Sequence, residues 1–140
     1  MRNNQNGFTL LEVTTMVVVV AFIVTATFVT FTTVREKNRN TMRVADVTQL
    51  QNALASYYRD NNAYPAEITP GESLIGGGIT YITEVPFNRT PTSDGPCPNE
   101  STYPYVQDNS GSSYHITFCL GTTTSDLDAG THYVTPVGVY

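Results

Sequence analysis

The first half of the chain is patterned as one long helix whose solvent changes along its length. After a short polar opening, MRNNQNG, the run FTLLEV leads into residues 13–34, which contain no charge, glycine or proline. At about 1.5 Å per helical residue this stretch reaches roughly 33 Å, enough to cross a hydrocarbon core. Valine, threonine and isoleucine dominate it, a composition that in water favours strand. In a bilayer a lone segment must satisfy its own backbone, so it is predicted to be helical. Its threonine hydroxyls are expected to bond back to carbonyls of the preceding turn or across to another helix.

Beyond Val34 the polar positions return, but no Gly or Pro occurs before Pro65. Met42, Ala45, Leu50, Ala53, Leu54 and Tyr57 recur at mostly three- to four-residue spacing, which predicts an amphipathic continuation. The helix should stop near Asn61-Asn62, because Pro65 biases Tyr64 away from helical geometry and Asn tolerates a left-handed cap. Residues 66–101 read as loop, with Gly76-Gly77-Gly78 and several prolines around a short strand at Ile79–Val85.

Strict alternation appears in the last third. Tyr114, Ile116, Phe118 and Leu120 fall on one face of a strand, with His115, Thr117 and Cys119 on the other. Tyr103–Val106 is predicted to pair with it across Asp108-Asn109-Ser110-Gly111. A final strand is expected from His132 to Val139, with Pro136 demoting it towards an edge. The expected fold is α+β: a long N-terminal helix, its first half membrane-spanning, packed on a small antiparallel sheet head. The organisation is then 1–7 leader, 8–34 membrane helix, 35–62 amphipathic continuation and 63–140 head.

Charge sharpens this division. Only 14% of the 140 residues are charged, against roughly 25% in an ordinary soluble domain. Residues 1–64 carry a formal +2 and residues 65–140 a formal −7, with Arg89 the sole base of the latter. A basic nucleic-acid-binding face is thereby disfavoured in the C-terminal half. Cys97 and Cys119 suit one disulfide in an exported protein and are too few for a structural zinc site.

Glu12 lies inside the apolar run, where an acid costs on the order of 3 kcal/mol and calls for a partner. Gly7-Phe8-Thr9-Leu10-Leu11-Glu12-Val13 resembles the processing motif of type IV pilins and of the pseudopilins of type II secretion. Tyr57-Tyr58-Arg59-Asp60-Asn61-Asn62-Ala63-Tyr64-Pro65 resembles the helix-to-loop junction of many pilins and especially of major pseudopilins. The membrane segment departs from the family in its richness in Val and Thr and in lacking the helix-loosening proline of many pilins.

The resemblance implies cleavage between Gly7 and Phe8 by a prepilin peptidase, N-methylation of Phe8, and storage in the cytoplasmic membrane with the leader inside and the head outside. It further implies a homo-oligomeric helical filament, assembled by a membrane platform and an ATPase as the helices leave lipid for one another. Glu12 would pair there with the Phe8 amine of a neighbouring copy. A count of Lys and Arg argues the opposite orientation, since Arg35, Lys37, Arg39 and Arg43 follow the segment and only Arg2 precedes it. The motif and the cysteines outweigh that count, and the basic stretch reads as the exposed flank of a continuing helix. Within the family, many pilins tie down the C-terminal region by a disulfide, whereas major pseudopilins use calcium. The cysteines therefore favour a surface pilus subunit, for motility, adhesion or DNA uptake, over a secretion pseudopilin. Outside the family, the alternative is a monomeric membrane-anchored binding module.

Other chemistry has weak support. No nucleophile motif surrounds any serine, so enzyme function is not expected, and of the two histidines, His115 and His132, the former reads as a solvent-side strand residue. Asp126 and Asp128 are the candidate calcium ligands, yet an all-protein calcium site usually needs six or more oxygens; a solvated acidic loop is the favoured reading, with no cofactor expected. The triple glycine lacks the Lys-Ser/Thr and strand-to-helix frame of a phosphate loop. Asn88-Arg89-Thr90 and Asn99-Glu100-Ser101 are formal glycosylation acceptors.

Overall fold

A computed structural model describes residues 7–124 and 126–140, with the side chains of residues 27–33 outside the description. One helix, α1, spans Leu10–Asn61. It is followed by β1 (Leu74–Gly76), β2 (Ile79–Ile82), β3 (Tyr105–Asp108), β4 (Ser113–Leu120), β5 (Gly130–Thr135) and β6 (Gly138–Val139). The chain divides into two compact units, residues 1–35 and 36–140.

In the first unit the described side chains of α1 are exposed all round, Leu10 to 84%. The Thr14 hydroxyl donates to the Leu11 carbonyl at 2.9 Å, that of Thr15 to the same carbonyl at 2.7 Å, and that of Thr25 to Ala21 at 2.6 Å. This is the back-bonding expected of hydroxyls with no other acceptor in reach. Among the described residues no helix is long and apolar enough to cross a membrane. The spanning stretch expected at 13–34 includes the side chains of 27–33, which lie outside the description.

In the second unit Val47, Leu50, Ala53 and Leu54 of α1 are buried together with Tyr114, Ile116, Phe118 and Leu120 of β4 and Val134 of β5. The alternation read along β4 is therefore the core face. Met42 and Ala45, expected on the buried stripe, are exposed, and Arg43, Asp46 and Val47 are buried instead. The stripe is rotated because a polar loop covers this part of the helix, as described below. At the other end Asn62 takes φ 55°, and its N–H bonds the Tyr58 carbonyl at 2.8 Å, the left-handed cap expected of it.

The main sheet is antiparallel in the order β3-β4-β5-β6. β3 starts two residues later than expected and pairs Val106 with His115 and Asp108 with Ser113. The expected final strand is instead a hairpin, in which Thr135 faces Gly138 across Pro136-Val137. A proline has no N–H to give a ladder and a φ already suited to a turn. The loop expected over 66–101 also contains an unforeseen hairpin. β1 and β2 pair around Gly77 and Gly78, at φ 58° and 82°, the left-handed pair that a two-residue hairpin turn demands. That is the structural role of the triple glycine.

Candidate functional site

At the start of α1, Gly7 and Phe8 are exposed and precede the helix; the rest of the leader, residues 1–6, lies outside the described residues. Thr9 caps the helix: its carbonyl accepts from the N–H groups of Glu12 at 3.0 Å and Val13 at 3.2 Å, and its hydroxyl oxygen accepts from the Glu12 N–H at 3.3 Å. Thr9-Leu10-Leu11-Glu12 thus has the Thr-x-x-Glu form of a helix start, a signal present in the sequence that the reading of Glu12 as a membrane acid passed over. Glu12 sits in the first turn, where the helix dipole favours a carboxylate. It is exposed.

The head is fastened by a polar seam along Arg39, Asn40, Arg43 and Asp46. Arg39 grips Asp94 with two bonds, Nε to Oδ2 at 2.8 Å and Nη2 to Oδ1 at 2.6 Å. Arg43 is fully buried. Its Nε donates to Asn88 Oδ1 and its Nη1 to Asn40 Oδ1, each at 3.0 Å, while Nη2 reaches the carbonyls of Arg89 at 3.1 Å and Pro91 at 3.0 Å and lies 2.9 Å from Asp94 Oδ2. A buried guanidinium is tolerated only when its donors are met and its charge is balanced. Both conditions hold here. The expectation that this basic stretch is an exposed flank is therefore corrected at Arg43, because loop 88–94 supplies the acceptors and the counter-charge.

One turn further, Asp46 receives a two-pronged grip from Arg89, at 2.8 and 2.6 Å, and the Tyr103 hydroxyl at 3.0 Å. The bonds from Arg39 hold the Asp94 carboxyl below its ordinary value. Burial, reinforced by the neighbouring Asp46 charge, pushes the Tyr103 hydroxyl up.

The same loop is tied to the sheet. Cys97 and Cys119 are joined in a disulfide with Cα atoms 5.6 Å apart. Beside it Gly95, at φ 51°, passes so close to Gly121 that a Cβ on Gly95 would lie 2.4 Å from the Gly121 carbonyl oxygen. Neither position tolerates a side chain without moving backbone. Asn40 completes the tie: its Oδ1 accepts from the Gly121 N–H at 3.2 Å, and its Nδ2 donates to Thr122 Oγ1 at 3.0 Å.

The formal glycosylation acceptors are used inside this seam. Asn88 Nδ2, the atom a glycan would occupy, donates to the Glu100 carbonyl at 2.7 Å, and Asn99 Oδ1 accepts from the Thr92 hydroxyl. The candidate calcium ligands are elsewhere. Asp126 and Asp128 are exposed around the short bridge between Thr124 and Leu127, and the Asp128 carbonyl accepts from His132 Nε2 at 2.8 Å. Among the described residues no three His, Cys, Asp or Glu side chains come together in a metal-holding group. His115 lies on the outer face of β4 as expected, but its Nδ1 meets Asp108 Oδ2 at 2.7 Å, a pairing across β3 and β4 that the scattered acids of the sequence did not disclose.

No family model matches the chain, and no solved structure matches it. Among curated proteins it is 42% identical over 73 residues to the type II secretion system core protein G of Vibrio cholerae, covering 51% of this chain and 49% of that protein. It is 36% identical over 74 residues to the protein of the same name from Aeromonas hydrophila, covering 53% and 52%, and 31% identical over 91 residues to that from Pectobacterium carotovorum, covering 65% and 56%. The chain spans about half the length of the curated relatives it matches. It is thus similar to secretion core G proteins, a likeness that supports the pilin and pseudopilin resemblance of its sequence.

Proposed function

We propose that this chain is a pseudopilin-type structural subunit, held in the membrane as a precursor and assembled with copies of itself into the filament of a secretion system. The observation that carries the reading is the likeness to secretion core G proteins, and an N-terminal helix whose described side chains are largely apolar and exposed is consistent with it. Such a surface must be covered by lipid or by other helices. Cleavage between Gly7 and Phe8, N-methylation of Phe8, and pairing of Glu12 with the Phe8 amine of a neighbour complete the mechanism. Apolar surface would then leave lipid for a helix bundle while one charge pair sets axial register. The role is structural rather than catalytic, with the prepilin peptidase, the assembly platform and its ATPase as partners, and the head on the outer side of the cytoplasmic membrane.

Glu12→Leu tests this. The precursor should remain in the membrane, since the change removes the cost of the acid, and filaments should fail or lose register. Mass spectrometry of wild-type filaments should find a methylated Phe8 terminus. Wild-type abundance of ordered Glu12→Leu filaments, or an intact Met1 in assembled material, would defeat the mechanism. A second reading, a surface type IV pilus subunit, is favoured by the Cys97–Cys119 bridge; surface fibres whose loss leaves secretion intact would select it.

A further inference from the structure

The outer face of the main sheet carries an open groove lined by Asp108, His115, Tyr133, Val137 and Tyr140. Tyr133 and Tyr140 exchange backbone hydrogen bonds, at 2.8 and 3.1 Å, so their side chains share this face. Val137 is 88% and Tyr140 63% exposed. Asp108 is the one carboxylate of the groove and no Lys or Arg lines it. His115 holds Oδ2 of that carboxylate, leaving Oδ1 without a hydrogen bond among the described residues. A carboxylate beside tyrosine rings and an exposed valine suits a long-stemmed cation: the ammonium meets the carboxylate and the ring faces, and its methylenes cover the valine.

Among its described residues the second unit, 36–140, carries one such cation to spare. Arg39, Arg43, Arg59 and Arg89 all sit in ion pairs, whereas Lys37 is exposed and in no ion pair among the described residues. The two features lie at opposite ends of this unit. Asp108 adjoins the turn whose Gly111 carbonyl accepts from the Tyr64 N–H at 2.8 Å, just past the end of α1; Lys37 lies 24 residues before Asn61 on that helix, roughly 36 Å away. Complementary patches at opposite ends make a head-to-tail contact, the kind that propagates into an open filament rather than closing a dimer.

We propose that the Asp108 groove of one copy receives the Lys37 flank of α1 from a second copy. This rests on the filament reading above and names a contact within it. The test uses the full-length chain in filaments. Lys37→Glu and Asp108→Lys should each lower filament yield roughly tenfold or more, because like charges would then be held together, and the double reversal should restore it. Lys37→Cys chains mixed with Asp108→Cys chains should give inter-chain products with a short bis-maleimide, absent when either variant is used alone. Lys37 is exposed and outside the core, so Lys37→Glu keeps the test valid should Asp108→Lys fail to fold. Wild-type yield from Lys37→Glu, a well-folded double reversal that stays defective, or Asp108→Cys cross-links to other proteins alone would each overturn the contact while leaving the filament reading intact. Absence of filaments from the wild-type chain would overturn the filament reading itself.

Discussion

The two ends of α1 invert the usual relation between residue type and burial. Val17, Val18, Val19 and Val20 are all more than half exposed, while Arg43 and Asn40, farther along the same helix, are wholly buried. Partners account for the inversion. Among the described residues of the first unit nothing packs over the valines; under the filament reading proposed above, lipid or other copies would cover them. The arginine is surrounded by acceptors delivered from a loop some 45 to 50 residues away.

The largest effect is expected at Arg43. Arg43→Leu would leave Asp94, Asn88, Asn40 and two carbonyls short of a donor, and loss of one partner from a buried ion pair costs about 3–5 kcal/mol. The head should melt about 10 °C or more lower, at roughly 4 °C or more per kcal/mol for a unit of about 100 residues. Val18→Ala should leave the same thermal transition unmoved. A similar loss in both variants, measured by calorimetry, would show that the two ends of the helix do not differ in this way.

The disulfide gives the next largest effect. Closing a 22-residue loop contributes about 3 kcal/mol by the chain-entropy model, so dithiothreitol or Cys97→Ser with Cys119→Ser should lower the transition substantially. EGTA should leave it unchanged. Loss of stability in EGTA, with free thiols in the native protein, would shift the fastening from the disulfide to a cation.

A smaller effect sharpens the role of Asp94. Its carboxyl titrates below the ordinary value in the folded head, so the unfolded chain binds the proton more readily. The contribution is therefore fully present above the unfolded value of about 3.9 and is lost as pH falls through the lowered folded value. A scan from pH 5 to pH 2 should show steeper loss in the wild type than in Asp94→Asn, and parallel curves would exclude Asp94 as the titrating group.

Local regularities were legible without the fold. The continuous helix, its cap at Asn62 and the alternating core face of β4 follow from 3.6- and 2-residue periods and from the φ preferences of Asn and Pro, all properties of neighbours in sequence. The turns at Gly77-Gly78 and Pro136-Val137 had visible residues, but whether flanking segments pair depends on what covers them. Arg43 carried no local sign of burial at all: an arginine among Arg35, Lys37 and Arg39 reads as solvated until loop 88–94 arrives. The same holds for Asp108 beside His115, brought together by strand register. Sequence thus determined where the backbone is regular and where the long apolar run lies. Tertiary structure alone decided which charges meet, because a buried charge is set by partners far along the chain rather than by its own type.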